Sequence, residues 1–427
     1  LIKVAENSAG SGVIDGKSSV ATVKSRKMAP LLLVFFTVFI DLVGFGLVIP
    51  VLPTYARELH ADDFLIGLLL ASYSFMQFLC MPFWGRLSDH VGRRPIMLLS
   101  LFASAVGYLI WGFSHSLPML FLSRLIQGAG NANIGVAQAY VADVTTAENR
   151  AKGMGAIGAA FGLGFVLGPA IGGLFLGPGW QTVVAHLIPV GSEHMGALQV
   201  IGFLAAFMSL LDLVLTFFLL PEPDRRSKAG SERFSLGPSF IFKTLATPQL
   251  TVSLAIFFIS TFAFANMEST LVLLTNDHYG LSPVQNSMMF AYIGLLIVFI
   301  QGGLIHRLSK KYGERKLIAV GTTLIAVGLI LTPLTNDTRV LYLALAFLAF
   351  GSGINTPSNQ SMLSKLAPGE QVGGVLGVGQ SLSTLGRIVG PAVGCAAYQY
   401  LGPISPYAIG ALAMMVAFFL SLQLPKA

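Results

Sequence analysis

Charge is scarce in this chain. Only 11% of its 427 residues are Asp, Glu, Lys or Arg, whereas a soluble domain spends roughly 25% on coating its surface. So little charge excludes an ordinary water-soluble globular protein. Cysteine is nearly missing too: Cys80 and Cys395 are the only two, and they fall at opposite depths of their apolar segments, which excludes a disulfide between them and leaves the redox compartment unread. The histidines (His60, His90, His115, His186, His194, His278 and His306) sit in loops or at segment ends, which argues against a buried histidine relay or metal cluster. No nucleophile–base pair, metal-ligand spacing or nucleotide loop is present. Residues 12–18 resemble a phosphate-binding loop but are one residue short and follow no strand. The expectation is therefore a protein that is not an enzyme and needs no cofactor.

Apolar residues are abundant, at 54% of the chain. A helix needs about 20 of them to cross roughly 30 Å of hydrocarbon. Such windows recur at 31–54, 64–84, 96–114, 118–141, 153–177, 197–220, 249–273, 283–304, 317–334, 339–361, 374–399 and 404–424. The period-two alternation of a membrane β-barrel is missing from them. The fold class expected is an all-α membrane protein with twelve transmembrane helices. The formal charge of +7 does not point to nucleic acid, because its placement follows the membrane. With the N-terminus inside, 22 Lys and Arg residues fall on the cytoplasmic side, only Arg57 and Arg339 fall outside, and Arg124 and Arg387 lie within helices. That asymmetry places both termini in the cytoplasm.

The domain reading is a flexible tail over 1–30 with a potential start at Met28 and no evident cleavable signal, a six-helix bundle over 31–220, a cytoplasmic linker over 221–248 opening at Pro221, and a second six-helix bundle over 249–427. The bundles are related. Residues 85–94 match 306–315 at five of ten positions, and 164–173 match 386–395 at five of ten, with offsets of 221 and 222. Two matches at nearly one offset imply a duplicated unit. Parallel repeats about an axis along the membrane normal form a transporter architecture with its substrate site between the halves.

An ionisable side chain in hydrocarbon is a functional hypothesis by default. Helix counting places Asp41 about 15 Å from the inner face, Arg124 about 21 Å from it and Asp212 roughly 8 Å from it, with Glu268 close to the outer face. Desolvation favours the neutral acid and a nearby guanidinium favours the carboxylate, so changing the distance between Asp41 and Arg124 can load and unload a proton. Glu268 and Asp212 are further proton-coupling candidates. Arg124, Gln127, Asn131, Gly135 and Gln138 follow helical spacing on one polar face that suits a cavity better than lipid. Asn355, Asn359 and Gln360 fill the corresponding role in the second half, and Tyr73, Gln77, Phe264 and Tyr292 are further substrate-binding candidates. Arg387 could meet a substrate anion, a carboxylate or a backbone carbonyl. Gly158, Gly162, Gly164, Gly168, Gly172 and Gly173 surround Pro169 and permit close packing and bending there.

These residues together resemble the major facilitator superfamily over about 31–424, and within it the twelve-helix drug/proton antiporters that include tetracycline efflux pumps. Gly85, Leu87, Asp89, Gly92, Arg93 and Arg94 resemble the family's loop 2–3 signature at every defining position. Residues 44–53 are similar to its helix 1 pattern, with Asp41 at the usual acidic position. Residues 124–130 are similar to the helix 4 motif whose arginine is implicated in proton coupling, and 164–173 to a motif typical of antiporters. The resemblance implies that Asp89 and its neighbouring arginines lock the cytoplasmic gate and that Gly168 and Pro169 act as a hinge. It implies a monomeric, multi-pass protein of the inner or plasma membrane. Such a protein exchanges protons for a small amphipathic or hydrophobic compound, with the proton gradient as its energy source. The alternatives are a facilitator or symporter for a metabolite or lipid, or a membrane sensor that does not transport.

Overall fold

The computed structural model describes residues 16–145, 147–177, 179–180, 196–223, 238–368 and 371–425. Most of the linker, the loop around 181–195 and the first fifteen residues, on which parts of the domain reading fall, lie outside the described residues. The described chain is helical: α1 Gly16–Val48, α2 Leu52–Glu58, α3 Asp63–Val91, α4 Arg93–Gly112, α5 Leu117–Gly130, α6 Ile134–Val144, α7 Ala147–Phe175 and α8 Ala197–Leu219 precede the linker helix α9 Pro238–Leu245. Then come α10 Pro248–Tyr279, α11 Pro283–Phe299, α12 Ile305–Tyr312, α13 Glu314–Leu331, α14 Thr338–Leu366, α15 Val372–Leu401 and α16 Ser405–Ser421.

Among the described residues, nine helices are long and apolar enough to cross a membrane. The other three expected spans are present in other forms. One is α5 and α6, joined by a 3-10 turn at Asn131–Asn133. Another is the 30-residue α15, and the third is the 17-residue α16. Three boundaries differ from expectation. The first helix begins at Gly16, inside the stretch expected to be a flexible tail. The first span stops at Val48 rather than 54, because Pro50 and Pro53 break the ladder and restart it as the short α2. The eighth span continues through a π-helical turn at Ile300–Leu304 into α12. Gln301, Gly302 and Gly303 occupy that turn, a place where local rewinding costs few side-chain contacts.

The repeat is visible in the backbone as well as in the sequence. Gly92 and Gly313, equivalent across the 221-residue offset, both have positive φ (132° and 76°) and join a helix directly to its successor. A side chain at either position would be strained. Arg94 then donates to the Phe217 carbonyl at the end of α8, and its equivalent Arg315 donates to the Leu422 carbonyl just after α16. Each half thus closes its second loop onto its own last helix by the same bond.

The halves meet closely at the Arg57 end. A Cβ added to Gly67 would sit 2.6 Å from the Pro391 carbonyl oxygen and 2.7 Å from the Cys395 Cβ. Arg57 of the first half binds Asp277 of the second at 2.6 and 3.0 Å and also holds Asp63 at 2.8 Å. Tyr398 donates to the same Asp277 carboxylate at 2.7 Å. Although burial opposes charging of Arg57, its hydrogen bonds to Asp277 and Asp63 raise its pKa above the ordinary value. The halves are in contact at the Arg57 end.

Cys395, fully buried at the closed end, reports on this closure. In detergent-solubilised Cys80→Ser protein, Arg57→Ala should speed alkylation of Cys395 on the order of fivefold, since a partly exposed ion pair contributes up to about 1 kcal/mol. An unchanged alkylation rate would show that Arg57 does not hold the halves together.

Candidate functional site

The first half buries an unusual set of polar groups. Arg124, 1% exposed on α5, donates from Nη1 to Gln127 Oε1 at 2.7 Å, and its guanidinium lies 4.4 Å from the Tyr73 ring centroid. Gln127 donates to Ser123 at 2.7 Å, which donates to the Gly107 carbonyl on α4 at 2.9 Å. Gln127 is thus spent on joining α4 to α5, whereas the sequence pattern assigned it to the cavity. Asp41 is 4% exposed on α1. Tyr73 and Tyr108 each lie in the electrostatic field of both Asp41 and Arg124, so two phenols sit around the expected acid–base couple. α1 is pressed against α7: a Cβ on Gly168 would come within 2.7 Å of the Gly46 Cα, and one on Gly46 within 3.1 Å of Pro169 Cδ. Close packing of α1 is therefore the visible use of Gly168 and Pro169.

Between the halves lie two adjoining chambers, with about 410 and about 610 Å³ of empty space that includes open solvent, which share Phe45, Tyr73, Ser74 and Arg387. The smaller is completed by Ile49, Leu70, Arg124, Ala265, Glu268, Ser269 and Pro391. The larger adds Gln77, Gly135, Gln138, Phe161, Phe165, Gln380 and Thr384, among others. A mostly apolar wall with a few placed polar groups suits a small amphipathic molecule. Arg387 enters from α15 with its guanidinium 5.9 Å from the ring centroid of Phe165 on α7. Phe165 is its own counterpart in the repeat, so pseudo-symmetry brings the two unlike residues face to face. Among the described residues Arg387 has no hydrogen bond or salt bridge.

Several expected site residues are elsewhere. Glu268 lies in the smaller chamber within the field of Arg387, not near the outer face. The depth count failed because α10 runs on to Tyr279, six residues past the expected end, which places Glu268 about 16 Å inward of that terminus. Asn359 accepts from Ser253 Oγ at 2.6 Å and donates to the Ser253 carbonyl at 3.1 Å, and Asn355 donates to Ser260 at 2.7 Å. Both asparagines staple α14 to α10 instead of lining the chambers, because a buried amide finds its partners on the nearest helix. Tyr292 packs edge-on against Tyr342 at 5.2 Å, and Phe264 packs against the main core; neither borders the chambers. Asn131 is buried at the 3-10 turn and accepts from Gln77 through its backbone carbonyl at 3.1 Å.

With this geometry in place, the comparisons are decisive. The family model described as Major Facilitator Superfamily matches residues 34–311 and 302–427. The chain belongs to that superfamily. It is 32% identical over 374 residues to the tetracycline resistance protein, class C, of Escherichia coli, covering 86% of this chain and 89% of the relative. It is 29% identical to multidrug resistance protein 1 of Bacillus subtilis, covering 86% and 90%. The crystal structure of the human organic anion transporter MFSD10 superposes with a TM-score of 0.68 at 27% identity, covering 92% of this chain and 99% of that one. The chain is thus a membrane transporter, not an enzyme.

The superfamily's loop signature is built as a charge network here. Arg93 binds Asp89 at 2.8 Å and Asp143 at 3.0 Å, while Glu222 accepts from the backbone amides of Arg93 and Arg94, each at 2.8 Å, at the start of α4. A carboxylate at a helix N-terminus is favoured by the helix dipole. The second half repeats the bridge with its charges reversed: Glu314, equivalent to Arg93, binds Lys365, equivalent to Asp143, at 2.8 Å. Sequence reasoning missed this swap and the Arg57–Asp277 bridge. The offset of 222 between Asp143 and Lys365 was the available signal for the first, and the rarity of outer-side basic residues for the second.

The division between staple and cavity residues is measurable. Asn359→Leu should lower the thermal midpoint of the purified protein, with a loss of about 1–2 kcal/mol for an interhelical polar contact. Gln138→Leu, on the chamber wall, should leave it unchanged. Equal midpoints would return Asn359 to the cavity.

Proposed function

We propose that this transporter is a proton-coupled antiporter that exports a small amphipathic or hydrophobic compound by alternating access. The observation that carries the reading is the mostly apolar chamber between the halves, which are bridged at the Arg57 end, with the buried Asp41 beside it. The tetracycline and multidrug resistance relatives support export of drug-like compounds. In this reading Asp41 exchanges the proton, Arg124 biases it towards ionisation, and Asp89 with Arg93 and Arg94 guards the cytoplasmic gate. Gly168 and Pro169 supply the flexible point of α7. The protein works as a monomer in the inner or plasma membrane, with both termini cytoplasmic and no cofactor beyond the gradient. A second reading as a carrier of organic anions draws on Arg387, whose guanidinium faces the chambers without an ion-pair partner among the described residues, and on the name of the human relative.

Two outcomes are expected. In proteoliposomes with an imposed pH gradient, Asp41→Asn should abolish uphill transport across a panel of tetracyclines and amphipathic dyes while leaving binding measurable. Arg124→Ala should instead move the pH dependence of transport to the alkaline side, because the acid loses its positive neighbour. Full gradient-driven transport by Asp41→Asn would relocate the coupling site. For topology, a tag between residues 224 and 247 should be labelled only from the cytoplasmic side of intact cells, and labelling from outside would invert the orientation.

A further inference from the structure

A second buried acid stands opposite Asp41. Asp212 on α8 is 1% exposed. The two helices run antiparallel in adjacent positions, and their register is set by a hydrogen bond of 3.0 Å between the hydroxyls of Thr37 on α1 and Thr216 on α8. Asp41 lies four residues beyond Thr37, and Asp212 four residues before Thr216, so in antiparallel helices both steps lead along the facing surfaces in the same direction. The two acids therefore lie at one level of the interface, one turn from the threonine pair, and Asp212 lies in the electrostatic field of Asp41. Thr216 also donates to Asp212 Oδ1 at 3.3 Å, while Asp212 Oδ2 is buried with no hydrogen-bond partner among the described residues.

The surroundings supply little positive compensation to Asp212. α8 carries no Lys or Arg along Ala197–Leu219, and α1 carries none between residues 31 and 48. From α4, Tyr108 faces the acids, and Arg94 reaches α8 only at its end, on the Phe217 carbonyl and ring. From α3 and α5, Tyr73 and Arg124 stand on the Asp41 side, with Arg124 turned to Tyr73 and Gln127. On α6, Tyr140 donates to the Pro221 carbonyl. α7 faces α1 through Gly164 and Gly168, neither of which titrates. Two buried carboxylates in each other's field cannot both ionise cheaply.

We propose that Asp41 and Asp212 form a single proton-holding pair across the α1–α8 interface, one carboxyl protonated and the other ionised, so that the exchanged proton belongs to the pair. The inference deepens the coupling role given above to Asp41 and rests on it for its place in transport. The step is a bare proton transfer: the pair takes up or releases one proton, and no other bond forms or breaks. The Thr37 and Thr216 hydroxyls hold the ionised partner in place. Asp212 thereby makes α8 part of the coupling unit, so release of the proton loosens contact between the first and last helices of the N-terminal half.

Infrared spectroscopy of the purified full-length protein tests the pair without a substrate. The spectrum of the wild type minus that of Asp41→Asn/Asp212→Asn isolates the two carboxyls. At neutral pH it should contain one protonated and one ionised group. Asp212→Asn should move the titration midpoint of the remaining acid to lower pH by about one unit or more, the signature of lost coupling. Thr216→Val, which keeps both acids, should retain the single protonated group and controls for misfolding. Two ionised groups, two neutral groups, or a midpoint unmoved by Asp212→Asn would overturn the pair. If Asp41→Asn still transported uphill while the wild-type infrared signature held, the coupling role of Asp41 would fail and the pair would stand.

Discussion

Hydrocarbon offers no partner for a polar group, and the rest of this structure depends on that constraint. Every backbone amide in the membrane must be satisfied within a helix, and every buried polar side chain must find a neighbour or line a wet cavity. Serine, threonine and asparagine obey it by bonding back to their own helix or across to the next, as Thr275 and Asn286 do between α10 and α11 at 2.7 Å. The groups left over collect beside and within the chambers between the halves: Asp41, Arg124, Glu268 and Arg387. Function is concentrated where the constraint is least fully met.

Duplication explains how such a site arises. Two copies of one six-helix unit keep the positive-φ glycines at 92 and 313 and the arginine bonds that tie each loop to its last helix. They diverge where the halves face each other. Arg387 against Phe165 places a cation over its own symmetry mate, and the Arg93–Asp143 bridge reappears as Glu314–Lys365 with the charges exchanged. Symmetry thus supplies the frame for the proposed alternating access, and its breaking supplies a chemically polarised cavity with acids from both halves beside it.

Closure is carried by backbone contact more than by charge. Gly67 leaves room for the Pro391 carbonyl, and Gly173 lies against Ser287 and Met288. Arg57 and Asp277 add a bridge that is partly exposed and therefore easily broken. A rigid contact between small residues, held by a modest ion pair, suits the opening and reclosing that the proposed alternating access requires.

Hydropathy by itself determined the membrane fold and the number of spans, and residue identities at one offset the duplication, because about 20 apolar residues per crossing and a constant repeat offset are one-dimensional signals. The loop signature around Asp89 was legible for the same reason, being contiguous. Depth along a helix was less so: Glu268 was misplaced because α10 outlasts its apolar run, and helix ends are set by capping and tertiary contact rather than by hydropathy. Which polar residues face the cavity was legible only in part: Tyr73, Gln77, Gln138 and Arg387 line the chambers as expected, while Gln127, Asn355 and Asn359 do not. Asn359 and Gln138 look alike in sequence, yet one staples α14 to α10 and the other lines the chamber. The encounters of Asp41 with Asp212, of Arg57 with Asp277 and of Arg387 with Phe165 join residues 171, 220 and 222 positions apart in the chain, and only helix packing, which fixes rotation and register together, decides such pairs.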